Sequence, residues 1–285
     1  MTTATKKRLE SMRANLARLE SNAAAIMSKG DNMTTEDRKN LLQFVNVAFH
    51  ESGKIESIYS IDGSVTCEFC AKMRAAAEDA PLMICGACYA AKDSWKEAAF
   101  RRHKLNMRIL STVLFTAEEL KALIIPEGAN LRINEDGDIA TVTHARNVLR
   151  IIESNKSAGV GFWFKNTPAV GDALKAEGVN NVAEKRARYG NARFVQSSVL
   201  IGFPARPAWF TDVVFTVFPD KETTLAAIAE GAFECNGRKC KECGFNCYNA
   251  RKNGDGVQHV AEYLRTNNAN RAAIMTAYNA KKSEV

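Results

Sequence analysis

Apolar residues recur at three- and four-residue spacing through Leu9, Met12, Leu16, Leu19 and Ala23, which predicts an amphipathic helix over 4–28 that ends at Gly30. A second helix is expected from Thr34, where Asp37 three residues on makes a capping-box-like start. It should run through Leu41, Leu42, Phe44 and Val45 and close at Ser52-Gly53. Residues 54–64 read as extended, with Ile58 and Ile61 flanking Tyr59 before the Asp62-Gly63 turn. The period returns to helical from Tyr89 to Leu114.

Beyond that point the pattern alternates. Strands are expected at Asn130–Asn134, Val160–Phe164, Phe194–Ile201 and Val213–Phe218, with helices at Ala140–Asn155, Ala169–Ala176, Thr223–Glu230 and Val257–Ala280. Strand and helix in alternation predict an α/β fold around a parallel sheet. Roughly five β/α units are visible, which suits a partial (β/α) barrel or an open parallel sheet rather than a full eightfold barrel. The expected organisation is an N-terminal helical segment (1–53), a β/α body (54–234) and a C-terminal segment (235–285).

Eight cysteines change the picture. They stand in two groups and nowhere else: Cys67, Cys70, Cys85 and Cys88 as C-x2-C-x14-C-x2-C, then Cys235, Cys240, Cys243 and Cys247 as C-x4-C-x2-C-x3-C. Each group supplies four soft thiolates, the donor set of a tetrahedral zinc or an iron–sulfur cluster. Two cysteine-rich metal sites are therefore expected. Disulfides are the competing reading and require an oxidising compartment. Met1 to Arg18 is polar and basic without an apolar core, which argues against a signal peptide, and no apolar run suits a membrane span. Metal sites in a cytoplasmic protein are the expectation. Spacing leaves zinc and iron–sulfur both open, as it does sites mixing the two groups.

Charge adds a smaller point. The chain carries +7, with six Lys/Arg against two acids in residues 1–30 and nine against four in 235–285. Basic ends around a near-neutral body suit a nucleic acid or other polyanion, or simply a solvated surface.

Several strand ends carry polar residues. Asp138 follows an expected strand at the end where barrel enzymes keep their reactive groups, although a helix cap or turn role is equally open. Arg132 and Asn134 should share one face of that strand, and an inward-facing pair would bind ligand. Lys165, Asn166 and Thr167 end the next strand. Arg101, Arg102 and Asn106 could meet an anion or lie on a solvated helix face. The four histidines, His50, His103, His144 and His259, hold no mutual ligand spacing. No phosphate loop, G-x-S-x-G elbow or H-E-x-x-H helix occurs.

The segments KIESIYSIDGSVTCEFC (Lys54–Cys70), CGACYAAK (Cys85–Lys92), RINEDGD (Arg132–Asp138), GFWFKNT (Gly161–Thr167) and CNGRKCKECGFNCY (Cys235–Tyr248), with Arg102 and Asn106, resemble the phage "gene product eighty-eight" family. More distantly they are similar to S-adenosylmethionine radical enzymes, which use a partial barrel and three cysteines after an early strand. That resemblance implies a 4Fe-4S cluster, one or two in number, with Cys85, Cys88 and Tyr89 in cofactor-binding parts. It also implies S-adenosylmethionine as a possible cofactor and the host cytoplasm as the location. The usual C-x3-C-x2-C is missing, so Cys67 or Cys70 would have to supply the third ligand. The resulting expectation is an iron–sulfur redox or radical enzyme acting on a nucleotide, a nucleic acid or a small metabolite. Lys165 and Thr167 would assist the cofactor, and Asp138, Arg132 and Asn134 would serve the chemistry. The alternative is a non-enzymatic protein with two structural zincs that binds nucleic acid or a host protein.

Overall fold

The computed structural model describes residues 3–51, 53–62, 82–84, 97–134, 137–235, 239–243, 245–248, 256–264 and 271–284. The first cysteine group, with Tyr89, lies outside them. Helix α1 (Thr3–Met27) leads through a short 3-10 turn at Gly30–Asn32 into α2 (Thr35–Phe44). The capping box expected at Thr34 is present: its hydroxyl accepts from the Asp37 amide and the Asp37 carboxylate accepts from the Thr34 amide. The helix does not continue to Ser52-Gly53. It stops at Phe44, and residues Ala48–His50 form β1, antiparallel to β2 (Ile58–Ile61). The β-branched Val45 and Val47 and the aromatic Phe49 suit a strand better than another helical turn. Residues 54–57, expected as extended, are a turn.

The body follows the alternation read from the sequence. In chain order it contains α3 (Glu97–Thr112), α4 (Ala117–Leu120), β3 (Asn130–Ile133), α5 (Val142–Ser154), β4 (Gly159–Phe164), α6 (Thr167–Ala176) and α7 (Val182–Tyr189). Then come β5 (Ala192–Ser197), β6 (Val213–Phe218), α8 (Lys221–Ala229), β7 (Phe233–Glu234), β8 (Gln258–Tyr263) and α9 (Arg271–Lys282). Further elements correct the sequence reading. Helices α4 and α7 and strand β7 have no counterpart in it, and the single terminal helix expected over Val257–Ala280 is instead strand β8 followed by α9. Strand β5 also ends at Ser197 rather than Ile201.

The eight strands form one sheet in the order β1-β2-β3-β4-β5-β6-β8-β7, parallel throughout except for β1. From β2 to β6 each new strand is added on the same side. Right-handed crossovers then place all intervening helices on one face. That face is apolar: Ile61, Leu131, Ile133, Val160, Phe162, Phe164, Ala192 and Phe194 pack with Leu105, Ile109, Val148, Ile152, Val170 and Leu174 of the helices. Among the described residues no helix is long and apolar enough to cross a membrane.

The opposite face is polar at its centre, and the sheet curls around it. Lys54, in the turn before β2, reaches Glu262 of β8 at 3.2 Å. Five strand spacings separate β2 from β8 along the ladder, roughly 24 Å in a flat sheet at ~4.8 Å each. A lysine cannot span that distance, so the sheet bends until its two sides meet. Strand pairing does not close it, because β1 and β7 remain its edges among the described residues.

Candidate metal centre and ligand mouth

The second cysteine group occupies the inside of this curl, and topology explains why. The chain passes from β6 out to β7 and then steps back to β8. Reversing the direction of strand addition moves a right-handed crossover to the other face. The β7–β8 connection, which carries Cys235, Cys240, Cys243 and Cys247, therefore falls on the inner face instead of among the helices.

Strand register arranges the inner face in levels. The lowest holds Ile58, Asn130 and Gly159, and the next holds Ser60, Arg132, Gly161 and Arg193. Above them stand Trp163, Val195, Val213 and Gln258. The cysteine loop lies across these levels, with Tyr248 on the lower two and Phe245 against the third. A Cβ placed on Gly159 would lie 2.5 Å from the Tyr248 carbonyl oxygen, and one on Gly161 would lie 3.1 Å from the Tyr248 ring. Glycine is needed there because another backbone approaches that closely. Tyr248 packs on Ile55 and Ile58, while Phe245 packs with Val195, Val213 and Val260.

Three cations anchor the loop. Arg193, 2% exposed, donates to the carbonyls of Phe245 (3.1 Å) and Asn246 (3.2 Å) and to the Gln258 side chain, with its guanidinium 4.6 Å from the Phe245 ring. Lys54 donates to Cys235 Sγ at 3.0 Å, and its carbonyl accepts from the Cys240 amide at 2.7 Å. Arg132 lies over the Trp163 ring at 4.7 Å and acts electrostatically on Cys240 and Cys247.

Burial pushes the Cys240 thiol up, while Arg132 and Lys54 pull it down. Burial, with Cys235 as a neighbour, pushes Cys247 up to about 12. Burial also pushes the Tyr248 phenol far up. Lys54 stays above its ordinary value: burial opposes its charge, but Glu262 and Cys235 outweigh it.

Cys235, Cys240, Cys243 and Cys247 are thiols with no disulfide between them. Among the described residues no three His, Cys, Asp or Glu side chains converge closely enough to hold an ion. The chemistry of the set nevertheless fits a thiolate-bound metal: four soft donors are gathered in one loop, and three cations offset the negative charge that their ionisation creates. Holding a metal requires the sulfurs to draw together.

The polar residues expected at strand ends are at the C-terminal ends of β3 and β4. Asn134, 4% exposed with φ +61°, donates from Nδ2 to the Trp163 carbonyl at 3.0 Å. Asp138 is buried, and its carboxylate accepts from the amides of Ile139 (2.7 Å), Lys165 (2.8 Å) and Asn166 (3.1 Å). Burial pushes this carboxyl up against the pull of Lys165 and those amides. These bonds tie the loop after β3 to the loop after β4. Lys165 ends β4, Asn166 caps α6, and the Thr167 hydroxyl donates to the Lys165 carbonyl at 3.3 Å. Arg101 pairs with Glu20 at 2.6 Å, and Asn106 ties the Asn46 backbone to the Asp62 carbonyl. Both have structural work.

Sequence reasoning passed over Lys54, Trp163, Arg193 and Tyr248. The available signals were the alternating glycines of GVGFWF, which mark close backbone approach, and a charged residue inside the apolar strand ARFVQS. Asp62 ends β2, accepts from Ser60 Oγ at 2.7 Å and has His103 at 3.8 Å, while His50 Nε2 lies 2.7 Å from the same hydroxyl. Compared with known protein families, curated proteins and solved structures, the chain matches none.

Proposed function

We propose that the chain is an iron–sulfur protein on a partial (β/α) barrel, with redox or radical chemistry at the C-terminal mouth of its strands. The observation that carries this reading is the seating of Cys235–Tyr248 inside the curl, across the N-terminal halves of β2, β4 and β5. That end of a barrel supports stability, whereas reactive groups gather at the other. The second cysteine group is accordingly the structural or auxiliary centre. Cys235, Cys240, Cys243 and Cys247 would hold it, with Lys54, Arg132 and Arg193 balancing its charge.

Asp62 stands just past the C-terminal end of β2, and Cys67 follows it by five positions in the sequence. Ligands bind outside the carboxyl ends of parallel strands. Cys67, Cys70, Cys85 and Cys88 are the ligands proposed for the reactive centre, with S-adenosylmethionine the cofactor its resemblance implies. A bound cluster supplies one-electron chemistry. The chain's own residues do the remaining work: Asp138 fixes the loops after β3 and β4, and Arg132 and Asn134 line the face below them.

Metal and acid-labile sulfide analysis of protein purified without oxygen tests the reading. Iron with sulfide is expected, together with a broad absorption band in the blue. Cys88→Ala should remove the reactive centre's share of the iron while the fold persists. Cys243→Ser should lower stability as well as metal content. Zinc without sulfide in both groups would sink the iron–sulfur assignment.

A further inference from the structure

Among the described residues, the mouth holds a donor and an acceptor without partners. Asn134 Oδ1 and Trp163 Nε1 are both buried and have no hydrogen-bond partner among the described residues. Such groups cost about 1–3 kcal/mol each when unpaired, so their presence calls for an explanation. The Asn134 orientation is fixed, because Nδ2 is committed to the Trp163 carbonyl. The indole is fixed as well, lying 4.7 Å from the Arg132 guanidinium and edge-on to Phe215 at 5.0 Å.

The two groups are close by construction. Ile133, the last residue of β3, registers with Phe162, and the Asn134 side chain then bonds across to the Trp163 carbonyl, so the two residues are neighbours. Adjacent strands lie ~4.8 Å apart, close enough for one small molecule to meet both groups. Aromatic surface at this level comes from the half-buried Trp163 and Phe215, since Val195 and Val213 are already covered by Phe245.

We propose that Asn134 and Trp163 bind a nucleobase. Asn134 Oδ1 would accept from an amino or imino N–H of the base, and Trp163 Nε1 would donate to an adjacent ring nitrogen or carbonyl oxygen. Bases present donor and acceptor side by side on one planar edge, and aromatic walls suit their rings. The inference goes beyond the metal reading and does not need it, since neither residue is a metal ligand.

Calorimetric titration of the full chain with adenosine, guanosine, cytidine and uridine tests it, with metal content measured separately on the same samples. At least one nucleoside should bind below about 1 mM. Trp163→Phe keeps the ring and removes the N–H. Asn134→Gly keeps the left-handed backbone and removes the acceptor. Each should weaken binding by about tenfold, while Trp209→Phe, on the exposed surface, should leave it unchanged. The proposal fails if no nucleoside binds at about 10 mM, if both variants bind as the parent does, or if ribose 5-phosphate binds as well as the nucleosides. Should Trp163→Phe not fold, Asn134→Gly alone decides the matter. A protein that lacks iron but binds a base through these residues would refute the iron–sulfur reading and keep this one.

Discussion

Gly159 and Arg193 decide whether the cysteine loop has a seat. The Cβ of an alanine at Gly159 would stand 2.5 Å from the Tyr248 carbonyl oxygen and 2.8 Å from Asn130 Oδ1. The first of these is backbone and cannot rotate away. Gly159→Ala should therefore cost about 1–3 kcal/mol, as overpacking does, or else lift the loop from the sheet. Arg193→Met keeps the bulk over Phe245 but leaves the Phe245 and Asn246 carbonyls without their donor. Its expected cost is about 2–4 kcal/mol, since a buried charged donor is lost together with the carbonyls it satisfies. Denaturant midpoints measure both variants, and metal content separates them from ordinary core damage. Each should lose metal from the second group along with stability. Full metal retention in either would mean that the loop is not held from below.

Helix α2 provides the contrasting case, because it is far from the cysteine loop in the topology and capped by a local box. Thr34→Ala removes the side-chain acceptor of the Asp37 amide and should cost about 1 kcal/mol in a thermal or urea melt, with metal content unchanged. This element was legible in the sequence because its signals are local: a cap, an acid three residues on, and an apolar stripe. The strands of the body were legible for a similar reason, as short apolar runs between turn residues. Strand β8 was not. Val260 and Ala261 are adjacent and both buried, so the strand has no clean polar alternation to read. Its apolar positions then merged with those of α9 into an apparent helix. The second cysteine group showed its donor chemistry by spacing alone. Its place inside the sheet depended on the order β6-β8-β7, which no local pattern encodes. Arg193 and Trp163 were hidden for the same reason: their meaning comes from register with neighbouring strands.

For the molecule as a whole, the helix-covered core and the curled inner face meet at one sheet, so stability tracks groups buried on either side. His144 on α5 is the clearest titrating example on the helical side. It is 2% exposed, its Nδ1 accepts from the Ala140 amide, and burial pulls it down to about 4 from an ordinary value near 6.5. The folded state therefore keeps it neutral where the unfolded chain would take a proton. The stabilising contribution is complete above about pH 6.5 and is lost as pH falls through the folded value, a total of about 3 kcal/mol. Glu119 and Asp37, held at about 2 chiefly by their bonds to Arg38 and Lys29, stay ionised in the folded chain through that window. Asp138 acts in the opposite sense, because burial raises its carboxyl and falling pH then favours the fold. The two are separated by subtraction. His144→Asn keeps an acceptor for the Ala140 amide and removes the titration, so urea midpoints of parent and variant between pH 7 and pH 4 should diverge. The parent should lose more stability than the variant as pH falls. Parallel curves would mean that the imidazole is hydrated in solution and that the packing of α5 against the sheet is looser than this fold requires.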